Sequence, residues 1–460
     1  MAGMNLRPPR VLLAALCLAL SSMAASAPPA SAADLLEAFR LAQSHDAQFA
    51  AARAQWQAAQ ERLPQARAGT LPVASVTAAL NRHETDTTFT DLPPGFISPL
   101  FVGGRRGFET GNLTLQLVHP LYRPQNAIAV EQARAQLALS DAQLAQAGQD
   151  LILRVAQSYF DVLSAQDTLE LIAAQKRAIA EQLAQAKRNF ELGSATIVDY
   201  NEAQARFDLV SAQEIAAHSE IEVRRRALEQ IIGRLPAELR RLPEAVRLAP
   251  PQPTVIDRWV ELAVERGLPV QLQQAALDSA ERELDRQRAA RQPTLDLVGL
   301  AGHSRTTGSA TSPIGIVTNQ IVLGVQLNLP LYTGGLIDAR VRELAATRGR
   351  VLQELEHARR ASALAARQAY LGVVSGIAQM RALEAALASS RLSLDSTLLG
   401  QKVGVRTQVD VLNAQQLYFG ARRDLASARY QTLLSMLRLE AAVGALGEED
   451  LDAINRLLGG

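Results

Sequence analysis

The sequence is short of cysteine, aromatic residues and net charge, and each shortage removes a class of protein. A single cysteine in 460 residues leaves nothing from which to build a disulfide framework. Lys and Arg number 47 against 46 Asp and Glu, a formal charge of +1, so no basic face of the kind that grips nucleic acid is implied. Aromatics make up only 4% of a chain that is 48% apolar, which is too apolar for disorder and too poor in large rings for conventional globular cores. Proline is missing from two long stretches, 125–235 and 331–460, although it clusters at 64–124, 236–269 and 293–330. Such stretches permit very long helices, and the abundant Ala, Leu, Gln, Glu and Arg favour them. There is no nucleophile motif, no metal-ligand cluster and no phosphate-binding glycine loop beside a strand, so an enzyme is not expected and no cofactor is implied. None of the six histidines has the spacing of a metal pair on one helix face, although His83 and His303 occupy similar places near loop entrances.

What is present begins with a leader. Arg7 and Arg10 precede an apolar run, Val11 to Leu20, followed by small residues to Ala33. This is the pattern of a secretory signal peptide over 1–33, with cleavage expected after Ala27 or Ala33 and an apolar run too short to cross a membrane. Cys17 lies inside that run behind Leu16, where lipoprotein processing needs a small residue, so it is read as discarded. Loss of Arg7 and Arg10 brings the 47 basic residues to 45 against 46 acidic ones.

The remainder is a tandem duplication. Val118-His-Pro-Leu-Tyr122 matches Asn328-Leu-Pro-Leu-Tyr332, and Leu192-Gly193 with Asp199, Ala203 and Gln204 matches Val403-Gly404 with Asp410, Ala414 and Gln415. Each half reads as helix, strand, loop, strand, then a very long helix, a turn and a helix running back. The expected pieces are a helix over 34–67, strands over 71–82 and 112–119, and helices flanking Gly193. Their counterparts are 270–291, 294–304, 320–329 and helices flanking Gly404. Leu113, Leu115 and Leu117 alternate with Asn112, Thr114 and Gln116. Ile321, Leu323, Val325, Leu327 and Leu329 alternate with Val322, Gly324, Gln326 and Asn328, so each strand has one apolar face. A soluble sheet and a membrane-barrel strand both fit that pattern.

The helices narrow the choice. A helix from Tyr122 to about Leu192 is on the order of 100 Å long, more than a compact monomer holds. After the turn, Tyr200, Ala203, Phe207, Val210, Ala217, Ile221, Leu228 and Ile231 alternate three- and four-residue steps, a coiled-coil seam that also carries Glu214 and Arg224. Arg224-Arg-Arg226 reads as solvated helix surface. Four strands cannot close a barrel, and lipid does not tolerate open edges, so strands in a membrane require several chains; three would supply twelve strands. The alternative is an exported periplasmic coiled-coil scaffold without channel activity.

At this point a family is identifiable. The repeat, the Pro-Leu-Tyr after the second strand of each half, Phe190-Glu-Leu-Gly193 with Asp199, and Val403-Gly-Val-Arg-Thr-Gln-Val-Asp410 resemble TolC-like outer-membrane efflux and secretion ducts. So do Leu425-Ala-Ser-Ala-Arg-Tyr430, Gln292-Pro-Thr-Leu-Asp-Leu297 and Ala442-Val-Gly-Ala-Leu-Gly-Glu-Glu-Asp-Leu451. The resemblance covers nearly the whole mature chain. It implies a mainly α protomer with a membrane β-barrel: a homotrimer whose 12-stranded barrel in outer-membrane lipid is continued by a long periplasmic α-helical barrel. It also implies a periplasmic adaptor and an inner-membrane transporter as partners, with cargo chosen largely by the latter. The corresponding divisions are a signal peptide (1–33), a first structural repeat (34–232), an equatorial link (233–269), a second repeat (270–443) and a C-terminal equatorial segment (444–460). The turns at Gly193 and Gly404 become the adaptor-docking tips, and 84–107 and 305–318 the extracellular loops.

The tips carry the candidate site. Thr196-Ile-Val-Asp199 and Thr407-Gln-Val-Asp410 have capping-box spacing, and capping alone accounts for both aspartates. The resemblance adds a second role: Asp410 and Asn413 fall where family members carry two acidic rings lining a periplasmic constriction. Copies of Asp410 around an axis attract cations and raise one another's pKa, whereas Asn413 leaves the second ring uncharged and implies weaker cation selectivity. For the closed-state contacts, Arg406 and Asp199 match the family and Gln401 and Val198 do not. An Arg406–Asp199 pair is therefore expected to hold the gate, at about 0.5–1 kcal/mol per copy.

Overall fold

The structure is a computed structural model that describes residues 34–90, 103–234, 236, 238–243 and 246–459. The expected leader, with Cys17 and the cleavage candidates Ala27 and Ala33, lies outside the described residues, as do 91–102 of the first outer loop.

The single first helix expected over 34–67 is three: α1 (Leu35–His45), α2 (Ala47–Gln60) and α3 (Arg62–Ala68). Asp46 makes the main break. Its backbone is extended, its carboxylate accepts the Phe49 N–H at 2.7 Å to start α2, and the same oxygen takes Arg154 at 3.0 Å. An aspartate that can cap a new helix and pair with a cation has two reasons not to continue the old one.

Strands β1 (Val73–Thr87) and β2 (Gly104–Tyr122) follow, then α4 (Pro124–Glu191) and α5 (Ile197–Ile232). After the link come α6 (Ile256–Arg266), α7 (Leu268–Arg288), β3 (Thr294–Thr306), β4 (Ile316–Asn328), α8 (Leu336–Lys402), α9 (Gln408–Ala442) and α10 (Glu448–Leu457). The order is the expected one, but β1 runs on to Thr87 and β2 begins at Gly104, further than their apolar alternation indicated, because the added, mostly polar residues are held by the ladder that pairs Arg82 with Glu109 and Thr87 with Gly104. With 68 and 67 residues, α4 and α8 are each about 100 Å long. Near the sheet α4 runs beside α2, α3 and α7; towards its far end it pairs with α5, as α8 pairs with α9.

The seam of α5 lies where its spacing put it. Ala203, Val210, Ala217 and Leu228 are buried, and the two charges on that grid are neutralised across the helix pair: Glu214 by Lys176 at 2.6 Å and Arg224 by Asp161 at 3.0 Å. Arg224 is thus not simple solvated surface, since its guanidinium reaches the neighbouring helix.

The largest core is a girdle around the middle of the helices. Leu35 and Phe39 of α1, Leu151, Tyr159 and Leu163 of α4, Leu228 and Ile232 of α5, Trp259 of α6, Leu433 and Leu437 of α9, and Leu451 and Leu458 meet there. The first and last described helices are tied together by Leu35 N–H donating to the buried Asn455 side chain at 2.9 Å.

The four strands form one antiparallel sheet in the order β1-β2-β3-β4. Its register places Val76, Leu115, Ala301 and Ile321 in one row and Ala74, Leu117, Gly299 and Leu323 in the next on the same side. The opposite face carries the row Thr77, Thr114, Gly302 and Gln320 but also the row Val73, Val118, Val298 and Gly324, so the alternations combine into one apolar face and one that mixes polar and apolar rows. Among the described residues neither edge, β1 or β4, is paired further, and every residue of β4 is exposed in the single chain. The two strand-to-helix joints differ. After β2 a bulge at Pro120–Tyr122 turns the chain, and Arg123 clamps Asp296 of β3 with two bonds of 2.7 and 2.6 Å. After β4 the turn is made by Gly334 and Gly335, both at positive φ, a conformation costly for a residue with a Cβ.

Candidate functional site

Both helical tips are built by the same local chemistry. At the end of α4, Ser194 N–H donates to Asn189 O at 2.8 Å with Gly193 at φ 70°. At the end of α8, Val405 N–H donates to Gly400 O at 2.9 Å with Gly404 at φ 79°. Only glycine takes that backbone cheaply, and the turn satisfies carbonyls that the ended helix leaves open.

The next helix then starts on a full capping box in each repeat. Asp199 N–H donates to the Thr196 hydroxyl at 3.3 Å while Thr196 N–H donates back to the Asp199 carboxylate at 3.1 Å. The same pair in the second repeat, Asp410 and Thr407, gives 3.2 and 2.9 Å. The capping role of both aspartates is therefore realised in the chain itself. Hydrogen bonds from the Thr407 backbone and hydroxyl hold the Asp410 carboxyl below the usual carboxylate range, and the nearby Arg406 charge adds to this.

The other tip residues divide. Arg406 is exposed, its stem laid across Gly400 so closely that a Cβ there would meet it at 2.7 Å. Within the chain no ion pair joins Arg406 to Asp199 among the described residues, where Asp199 is occupied by Thr196. Val198 is exposed and apolar. Gln401 faces its own hairpin: its amide donates to Gln408, whose amide donates to Gln182 Oε1 at 2.9 Å and Gln182 O at 3.2 Å on α4. Gln182 and Gln408 are buried, so each needs that bond. Asn413 accepts from Arg206 of α5 at 3.2 Å, and Gln416 accepts from the same guanidinium at 2.7 Å.

Arg206, Gln182, Gln408 and Gln416 were not legible as tip residues. Nothing in either half announces how one hairpin registers against the other, and register alone brings residue 206 to 413. Away from the tip, the His83 ring stacks on Phe108 at 4.7 Å, and His303 Nδ1 lies 2.6 Å from Asn319.

Comparison with known proteins gives the following. A family profile described as "Outer membrane efflux protein" matches residues 38–234 and 259–445. The chain is 31% identical over 426 residues to the "Outer membrane protein TolC" of Vibrio cholerae, covering 92% of this chain and 93% of that one. It is 31% identical to the "Alkaline protease secretion protein AprF" of Pseudomonas aeruginosa over 428 residues, 92% of this chain and 87% of the relative. The fold is also that of the outer membrane protein VceC of Vibrio cholerae, with a TM-score of 0.72 at 17% identity over 89% of this chain and 96% of that one.

Proposed function

Since this chain belongs to the outer membrane efflux protein family, we propose that it is the exit duct through which an efflux pump or a type I secretion system passes its cargo out of the cell. The observation that carries this reading is the sheet. Among the described residues it is apolar on one face, more polar on the other and open at both edges, and it continues directly into helices of about 100 Å. Open edges in lipid leave backbone groups unsatisfied, so the sheet is completed by other copies; three chains close a 12-stranded barrel with its polar face inward. The barrel then lies in the outer membrane and the helices cross the periplasm.

The partners follow from the two ends. Leu192, Val198, Val403 and Val405 are exposed apolar residues at the tips, which suits the turns at Gly193 and Gly404 to dock a periplasmic adaptor that links the duct to an inner-membrane transporter. Asp410 forms the charged ring of the entrance. Arg406 is exposed, feels Asp410 of its own hairpin but makes no ion pair among the described residues, and is placed to pair with Asp199 of an adjacent coil.

The test is single-channel recording of the purified mature protein in a planar bilayer. Small cation-selective steps are expected, less selective after Asp410→Ala and larger after Arg406→Ala. Protein that stays soluble without detergent as a monomer and never conducts would overturn the duct; conduction unaltered by either change would overturn the tip assignments alone.

A further inference from the structure

The two hairpins touch at the tip and part above it. Leu412 of α9 is buried with Ala203 and Val210 of α5 and Ile179 and Ala186 of α4. On one flank of it Gln408 is bonded to Gln182 of α4, and on the other Asn413 and Gln416 are bonded to Arg206 of α5. Beyond this point, towards the girdle, the hairpins separate around a cleft of about 580 Å³ lined by Arg206, Asn413, Gln416, Phe419 and Arg423.

Arg206 is suited to closing that cleft. Its Nε donates to Glu202 one turn earlier on its own helix at 3.1 Å, which fixes the side chain, while its two terminal nitrogens each meet a different acceptor on the other hairpin. A planar guanidinium with every nitrogen engaged is a rigid bridge, and its charge strengthens each bond. Gln401 and Val198 supply no such link, since the first bonds within its own hairpin and the second is apolar.

We propose that Arg206 is a positioning residue of the gate: it latches α5 to α9 through Asn413 and Gln416, so that Asn413 serves as a latch acceptor rather than as an uncharged place in a selectivity ring. This rests on the duct reading and deepens it. The latch must open before the second hairpin can swing away from the first and widen the entrance.

Asn413→Asp separates the two roles of that position. In a ring, a carboxylate there increases cation selectivity and leaves the open fraction alone. In the latch it pairs with Arg206, so the open fraction falls, and it recovers at high salt as the pair is screened. Arg206→Gln is expected to raise the open fraction about tenfold, the factor that goes with losing a hydrogen bond to a charged group. Arg206→Lys retains the charge with one point of attachment and should restore part of the closure. In Arg206→Gln/Asn413→Asp the closing effect of the aspartate should vanish. Should Arg206→Gln yield no trimer, Asn413→Ala/Gln416→Ala removes the acceptors instead and is expected to open the channel equally. The latch is overturned if trimeric, conducting protein has an open fraction indifferent to Arg206, or if Asn413→Asp changes selectivity alone. Absence of conductance from folded wild-type trimer removes the duct reading itself, and the latch with it.

Discussion

The girdle and the sheet are made by one chain under opposite conditions. In the girdle, helices from both repeats, including the first and last described ones, enclose side chains such as Tyr159, Leu163, Leu433 and Leu451 at 0% exposure. In the sheet, Leu80, Ile321 and Leu323 remain 75% or more exposed. The girdle is stabilised in water by its own burial, whereas the sheet has no interior in the single chain, and the proposed duct gives it one by covering one face with lipid and pairing its edges with neighbouring copies. One polypeptide thus carries a finished core and an unfinished one, and it is the unfinished one that the proposed assembly completes.

That comparison can be tested by damaging each region in turn. Leu163→Ala opens a cavity where the chain is self-sufficient and is expected to cost about 2–5 kcal/mol, seen as an earlier midpoint in chemical denaturation whether or not membrane is present. Leu323→Arg places a charge on the apolar face of the sheet; a cost of about 2–4 kcal/mol is expected, but only for insertion, so detergent-extracted trimer should fall while the girdle's helical signal persists. Equal loss of both would abolish the distinction. Thr407→Ala removes a cap satisfied within one chain and should cost about 1 kcal/mol, with Thr196→Ala giving the same, since both repeats build the same box.

The smallest expected effect concerns a titration in the girdle. Asp167 accepts the Tyr430 hydroxyl at 2.8 Å. Burial pushes its carboxyl above the usual range against the opposing effects of Tyr430 and Arg241. A carboxyl raised by folding favours the fold most when protonated, so its contribution is complete below the ordinary carboxylate value of about 4 and is lost as pH rises through the raised one. Asp167→Asn keeps an acceptor for Tyr430 and removes the titration. Its melting temperature should therefore vary less with pH just above that range and be no lower at neutral pH; a lower neutral value would show that the charge itself is needed there, through Arg241 or Arg429.

Much of this was legible along the chain. The seam Ala203, Val210, Ala217, Leu228 and the Thr–Asp boxes at the tips depend on residues three to seven apart, which a helix brings together by its own geometry. The alternation in β2 and β4 fixed one apolar face for the same reason. The single first helix failed at Asp46, because the partner that favours its capping conformation, Arg154, is far off in sequence. The glutamine chain from Gln401 to Gln182 and the Arg206 bridge were illegible for a related reason, since each spans the contact between helices whose relative sliding no local pattern records.

By itself, then, the sequence determined the duplicated order of elements, the length of the helices, the faces of the strands and the caps that begin α5 and α9, all of which are short-range consequences of backbone and side-chain geometry. The tertiary structure alone decided which distant side chains meet: Arg123 with Asp296 at the foot of the sheet, and Gln408 with Gln182 and Arg206 with Asn413 across the hairpins. The first depends on the β2–β3 strand register, and the other two on the register of one long helix against another, where a shift of about 5 Å, one helical turn, would replace both pairs while leaving the sequence pattern unchanged.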